Sequence, residues 1–144
     1  MQRTFERISY DSLNAKQKEN YNFQKISAVL ADFGFATIKL NDDWLGADFI
    51  AQHLSGETLK VQLKGRLTFQ KKYQGKDLWL CFRDGEDWYF YPHDFLLEQV
   101  LAQSNVANTD SWNKDDGGYS FPSLSPKIKE LLLPYKLPIL EVSY

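Results

Sequence analysis

The chain is short of the residues that announce many activities. Its one cysteine, Cys81, has no partner for an intramolecular disulfide, so a reducing compartment and a buried thiol are expected. It has two histidines, His53 and His93, and neither has a second histidine or cysteine at ligand spacing, which argues against a zinc centre. Cys81 and His53 lack the orienting third group that a nucleophile pair needs. Glycines such as Gly46, Gly56 and Gly65 are scattered, with no G-x-G-x-x-G or G-K-[ST] run to cradle a phosphate. Asp115-Asp116-Gly117-Gly118 lacks the alternating oxygens of a calcium loop. No apolar run approaches the roughly 20 residues of a membrane span and no signal peptide is recognisable, so a cytoplasmic location is expected. A net charge of −2 and a pI of about 5.7 argue against coating nucleic acid through global charge, while allowing a local basic patch. Internal repeats and low-complexity tracts are absent as well.

What is present fits one ordinary globular domain over 1–144, with a core at about 12–103 followed by a loop, a short helix and a C-terminal tail. The 144 residues can bury a real core. Hydrophobic and charged contents of 43% and 25% are typical of a folded domain. An aromatic content of 15% is high, and places large flat side chains in the core or at an interface.

From Ser12, a plausible N-cap, the pattern is helical to Phe33, and Gly34 stands where a C′ glycine ends a helix. Phe23, Ile26, Leu30 and Phe33 draw its apolar face, and Glu19 extends that stripe by one turn. Strands are expected at Phe35–Leu40, Ala47–Gln52, Leu59–Leu67, Leu78–Phe82 and Trp88–Tyr91. Turns fall at Asn41-Asp42-Asp43, around Gly56, and at Asp84-Gly85. A helix follows Pro92, a polar turn-rich segment fills 104–123, and Ser125-Pro126 opens a short helix. Pro134 and Pro138 hold an extended tail, whose Leu137, Ile139, Leu140 and Val142 are expected to pack on the body or on another chain. Helix, five strands and helix give an α+β sandwich around a mixed central sheet.

The informative stretch is the hairpin from Ala47 to Leu67. Side chains two apart on a strand share a face, roughly 7 Å apart. Gln62 and Lys64 therefore stand side by side, and an antiparallel neighbour brings Asp48 opposite them. A carboxylate, an amide oxygen and an ammonium converging on one point suit a divalent metal and a phosphate. Gly46-Ala47-Asp48-Phe49-Ile50-Ala51 followed by Lys60-Val61-Gln62-Leu63-Lys64-Gly65-Arg66 resembles the PD-(D/E)XK, or restriction-endonuclease-like, nucleases. Ala47 stands at the nominal proline, and Gln62 stands at the acid, giving a Q-x-K variant that keeps a carbonyl oxygen but no charge.

The resemblance implies a restriction-endonuclease-like core and metal-assisted hydrolysis of phosphodiesters, in DNA foremost. It implies a Mg²⁺ or Mn²⁺ ion held by Asp48, the Gln62 side-chain oxygen, the Leu63 backbone carbonyl and Glu19. Lys64 would orient the attacking water or stabilise the growing charge. A basic run interleaved with an aromatic (Lys60, Arg66, Lys71, Lys72, Tyr73 and Lys76) is suited to a phosphate backbone. A solvated lysine-rich loop guarding a sheet edge explains the same residues. A domain this small has little room for separate sequence recognition, so a homodimer, a structured substrate or a larger complex is expected. The rival reading is a catalytically inactive module of the same fold that binds nucleic acid or a protein partner.

Overall fold

The computed structural model describes residues 2–139. Leu140 and Val142, expected to pack with the tail, lie outside the described residues. The first helix, α1 (Ala15–Ala31), begins at Asn14 rather than Ser12. Asn14 accepts from the Gln17 N–H at 2.9 Å and the Gln17 side chain accepts from the Asn14 N–H at 3.0 Å. This reciprocal capping box satisfies two end donors, which the Ser12 hydroxyl does not do; it donates instead to the Ser9 carbonyl. At the far end Gly34 takes φ +85° and turns the chain into the sheet.

Five strands form the main sheet in the order β1 (Phe35–Trp44), β2 (Ala47–His53), β3 (Thr58–Leu63), β5 (Leu78–Asp84) and β6 (Asp87–Pro92). Only the β3–β5 pair is parallel, so the sheet is mixed, and with its flanking helices the class is α+β. β1 runs through the expected Asn41-Asp42-Asp43 turn, and the chain reverses at Leu45-Gly46 instead. Both those residues have positive φ, 52° and 89°.

Each face of the sheet has its own core. Ile26 and Leu30 of α1 bury against Phe49, Ala51, Val61, Cys81, Trp88 and Phe90. The opposite face packs Leu78, Leu80, Phe82 and Tyr91 against α2 (His93–Gln103) and α4 (Pro126–Leu132). β5 thus buries both its faces, as its unbroken apolar run demands.

The strand expected to continue to Leu67 ends at Leu63. Beyond it, β4 (Thr68–Gln70) pairs with β7 (Gly118–Ser120) as a separate two-stranded ribbon, with α3 (Asp110–Asn113) beside it. Tyr91 pins this ribbon to the main body: its hydroxyl donates to the Thr68 carbonyl at 2.8 Å and accepts from the Thr68 N–H at 3.2 Å. The tail returns to β6 through the Leu137 N–H, which donates to the Trp88 carbonyl at 2.8 Å. No helix among the described residues is long and apolar enough to cross a membrane.

Candidate functional site

The β2–β3 register sets the site. Ile50 faces Lys60 and the pairing ends at Phe49–Val61, so a continuation of the register sets Asp48 opposite Gln62. Val61 and Phe49 are claimed by the α1 core, which turns Lys60, Gln62 and Lys64 to the other face. There Asp48 Oδ2 accepts from the Leu63 N–H at 2.9 Å. Gln62 Oε1 is buried and has no hydrogen-bond partner among the described residues. The Lys64 ammonium lies 5.5 Å from the centroid of the Tyr73 ring, and the Lys64 backbone N–H donates to the Cys81 carbonyl at 2.9 Å, which ties the end of β3 to β5.

Burial pushes the Asp48 carboxyl above the ordinary carboxylate range. The Leu63 N–H and the Lys64 ammonium pull it down, and the charges of Glu19 and Asp43 push it up. The same desolvation, reinforced by the Asp48 charge, raises the Cys81 thiol and leaves it inert.

Glu19 reaches the site's field from α1. One turn further along the helix, Phe23 packs edge-on against Phe49 at 5.2 Å, which fixes the helix over β2. The Glu19 carboxylate is 51% exposed and held by Lys39 at 3.9 Å and Lys16 at 3.8 Å. Asp43 comes in from the other side, its Oδ1 accepting from the Gly46 N–H at 2.6 Å. Its position just before the Leu45-Gly46 reversal is what brings its carboxylate to the Gly46 N–H.

Among the described residues no three His, Cys, Asp or Glu side chains gather closely enough to hold a metal alone. A cation here would need neutral oxygens beside Asp48. The Gln62 oxygen is such an atom, because a buried acceptor without a donor is costly unless something satisfies it. One carboxylate and one amide oxygen, completed by water, form a hard-oxygen set that fits Mg²⁺ or Mn²⁺.

The basic run disperses over aromatic rings. Lys72, like Lys64, sits 5.5 Å from the Tyr73 centroid, Lys60 sits 5.7 Å from that of Trp44, and Lys71 sits 5.3 Å from that of Trp112. Tyr73, expected to meet nucleic acid, is only 3% exposed and belongs to the core. The loop folds as a 3₁₀ turn over Lys71–Tyr73 that drives this ring inward, so Tyr73 supports two lysines and cannot stack on a base. Arg66 stays exposed and, with Lys64, Gly65, Gln70 and Ser120, borders a shallow cleft. Lys76 is half-buried in the loop before β5. A second cleft that Lys64 also borders is lined by Tyr10, Asn22, Gly65 and Arg83, of which only Gly65 lies in the hairpin motif.

No family model matches the chain, and no curated protein matches it. Among solved structures, the Holliday junction resolvase Hjc from the archaeal hyperthermophile Archaeoglobus fulgidus is similar over 48% of this chain and 74% of its own. The identity is 14% and the TM-score 0.39, a partial likeness too slight to assign the chain to a family.

Proposed function

We propose that this chain is a Mg²⁺- or Mn²⁺-dependent nuclease that hydrolyses phosphodiester bonds, in DNA foremost. The observation that carries the reading is the buried Gln62 oxygen, without a hydrogen-bond partner among the described residues, on the strand that faces Asp48, with Lys64 two residues along. Asp48 and Gln62 would hold the metal, joined by the Leu63 carbonyl, with Glu19 adding negative charge from α1. When bound, the cation would lower the pKa of a coordinated water and polarise a phosphoryl oxygen.

The chain's own residues do the rest. The Leu63 N–H holds Asp48 Oδ2 in place, so the carboxylate is oriented before any ligand arrives. The Lys64 ammonium, steadied by the Tyr73 face, is the cation available to the charge that grows on the phosphoryl oxygens. The small domain leaves the choice of substrate to dimerisation, to the shape of the nucleic acid or to a larger complex.

The test is cleavage of supercoiled plasmid and of labelled single-stranded DNA and RNA, with Mg²⁺, with Mn²⁺ and with chelator. Asp48→Asn and Lys64→Ala proteins run alongside. Metal-dependent cutting that both substitutions abolish is the expected result. Cutting that survives Asp48→Asn refutes the site. A folded wild-type protein that cuts nothing favours the second reading, an inactive nucleic-acid-binding or protein-binding module, which the neutral Gln62 supports.

A further inference from the structure

The glycines single out a position that the fold does not explain. Of the eight in the chain, five hold positive φ. At Gly117 and Gly118 an added Cβ would come within 2.1 Å of the Trp112 carbonyl oxygen and 2.8 Å of the Phe69 carbonyl oxygen respectively. Gly65 has neither reason: its φ is not positive, and an added Cβ would meet nothing within 4 Å. A glycine costs conformational entropy relative to any other residue, and one of its uses is to let a ligand approach bare backbone.

Gly65 occupies the place where such an approach is chemically meaningful. It directly follows Lys64 and borders three adjoining clefts. One holds Tyr10, Asn22, Lys64 and Arg83, the next Lys64, Arg66, Gln70 and Ser120, and the third Arg66, Arg83 and Asp84 beside Phe121. Three cations (Lys64, Arg66 and Arg83) thus surround one exposed stretch of backbone, and Asp84 is the one acid among them. Among the described residues neither the Gly65 nor the Arg66 N–H donates to another backbone group. Asn22 is already set beside Tyr10, donating to its hydroxyl at 2.9 Å, and Arg83 is laid over the Trp88 ring at 5.5 Å.

We infer that a phosphodiester strand crosses the molecule over Gly65, from the Asn22–Arg83 side to the Arg66–Gln70 side, with a phosphate against the bare Gly65 backbone and Arg83 and Arg66 on the flanking phosphates. The inference rests on the phosphodiester reading of the Asp48–Lys64 site and extends it to the substrate's path. Cations and backbone N–H groups position phosphates without reading bases, so the strand is bound without sequence preference.

The experiment is fluorescence anisotropy with labelled single-stranded DNA, duplex DNA and RNA of several sequences, in chelator so that nothing is cut. Gly65→Leu, Arg83→Gln and Asp48→Asn are compared with wild type. Lys129→Ala, which removes an exposed cation on α4, is the control. Open space at Gly65 means Gly65→Leu keeps the wild-type Tm. Gly65→Leu and Arg83→Gln are expected to bind about tenfold or more weakly, as for a lost charged hydrogen bond. Arg83→Gln should also lower the slope of log K against log salt by about 0.9 on duplex DNA and about 0.7 on single strands. Asp48→Asn and Lys129→Ala should bind at least as well as wild type. Wild-type affinity in Gly65→Leu and Arg83→Gln overturns the path, and if Asp48→Asn still abolishes cutting, the nuclease reading stands without it. Equal weakening by Lys129→Ala also overturns it, showing attraction to charge anywhere on the surface. Binding lost in the two groove variants of a protein that never cuts upholds the path and ends the nuclease reading.

Discussion

Replacing Gln62 by leucine tests whether its oxygen is a defect in the apo fold. Gln62 Oε1 is buried and accepts no hydrogen bond from the described residues, while Leu80 stands beside Gln62 across the parallel β3–β5 pair. An unsatisfied buried polar group costs about 1–3 kcal/mol, and an apolar side chain of similar size removes that cost. Gln62 as a whole is only half-buried, so the lower part of that range, about 1–2 kcal/mol, applies. At about 2.1 cal/mol/K per residue, 144 residues give an unfolding entropy near 0.3 kcal/mol/K, so Gln62→Leu should raise Tm by about 3–7 °C. Thermal and urea unfolding in chelator measure it, and the urea midpoint should rise with its m-value unchanged. Adding Mn²⁺ should then stabilise the wild type more than the variant, because a ligand that binds only the folded state adds its binding free energy to stability. A Gln62→Leu protein that is less stable than wild type in chelator refutes the reasoning, for the oxygen would then have a partner that contributes to the fold.

Asp48→Asn keeps an acceptor for the Leu63 N–H and removes a charge that burial disfavours, so it should abolish cutting yet raise Tm at neutral pH. Because the folded-state pKa of Asp48 is raised, its penalty fades as pH falls from neutral through that value; the stability gap between wild type and Asp48→Asn should narrow in acid, read by urea unfolding across pH. His93 titrates with the opposite sign. It is buried between Phe69 and Tyr73, accepts from the Gln70 N–H at 3.1 Å and meets Asp94 at 2.8 Å, and desolvation lowers its pKa although Asp94 raises it. Its contribution is therefore full above the ordinary histidine pKa of 6.5 and is lost as pH falls through the lowered value; a His93→Gln protein should lack that step. Tyr91→Phe strips the Thr68 N–H and carbonyl of their shared partner, should cost about 1–3 kcal/mol per buried group left unpaired, and should lower the urea midpoint without changing the m-value.

Local patterns made most of the main sheet legible. Leu78–Phe82 reads as a strand buried on both faces because its apolar residues are continuous, and the structure gives one face to α2 and α4 and the other to α1. The approach of Lys64 and the Leu63 N–H to Asp48 is legible in period-two alternation and one tight turn. What failed was non-local. β4 is three residues long and polar at both ends, and its partner β7 lies some fifty residues later in a polar, turn-rich segment. Neither strand has a pattern of its own; each exists because the other satisfies its backbone and because Tyr91 anchors Thr68. Tyr73 was misplaced for a related reason. Its polar neighbours describe a loop, and only the tertiary fold shows that the ring fills the space under Lys64 and Lys72.

The neutral residue at position 62 has a physical logic beside Asp48. Burial already drives the Asp48 carboxyl toward its neutral form, and Glu19 and Asp43 push in the same direction. A second carboxylate at position 62 would add a like charge on the neighbouring strand, at a point where Lys64 and the Leu63 N–H are the groups that oppose it. An amide offers the same hard oxygen without that repulsion, so the apo protein keeps Asp48 more nearly ionised than a pair of acids would allow. The cost is weaker attraction for a divalent cation, since one formal charge is missing from the donor set. Gln62→Glu should therefore lower Tm in chelator and raise it more steeply with Mn²⁺ than wild type does. If the acid destabilised the fold and Mn²⁺ failed to recover it, the oxygen at position 62 would not be facing a metal at all.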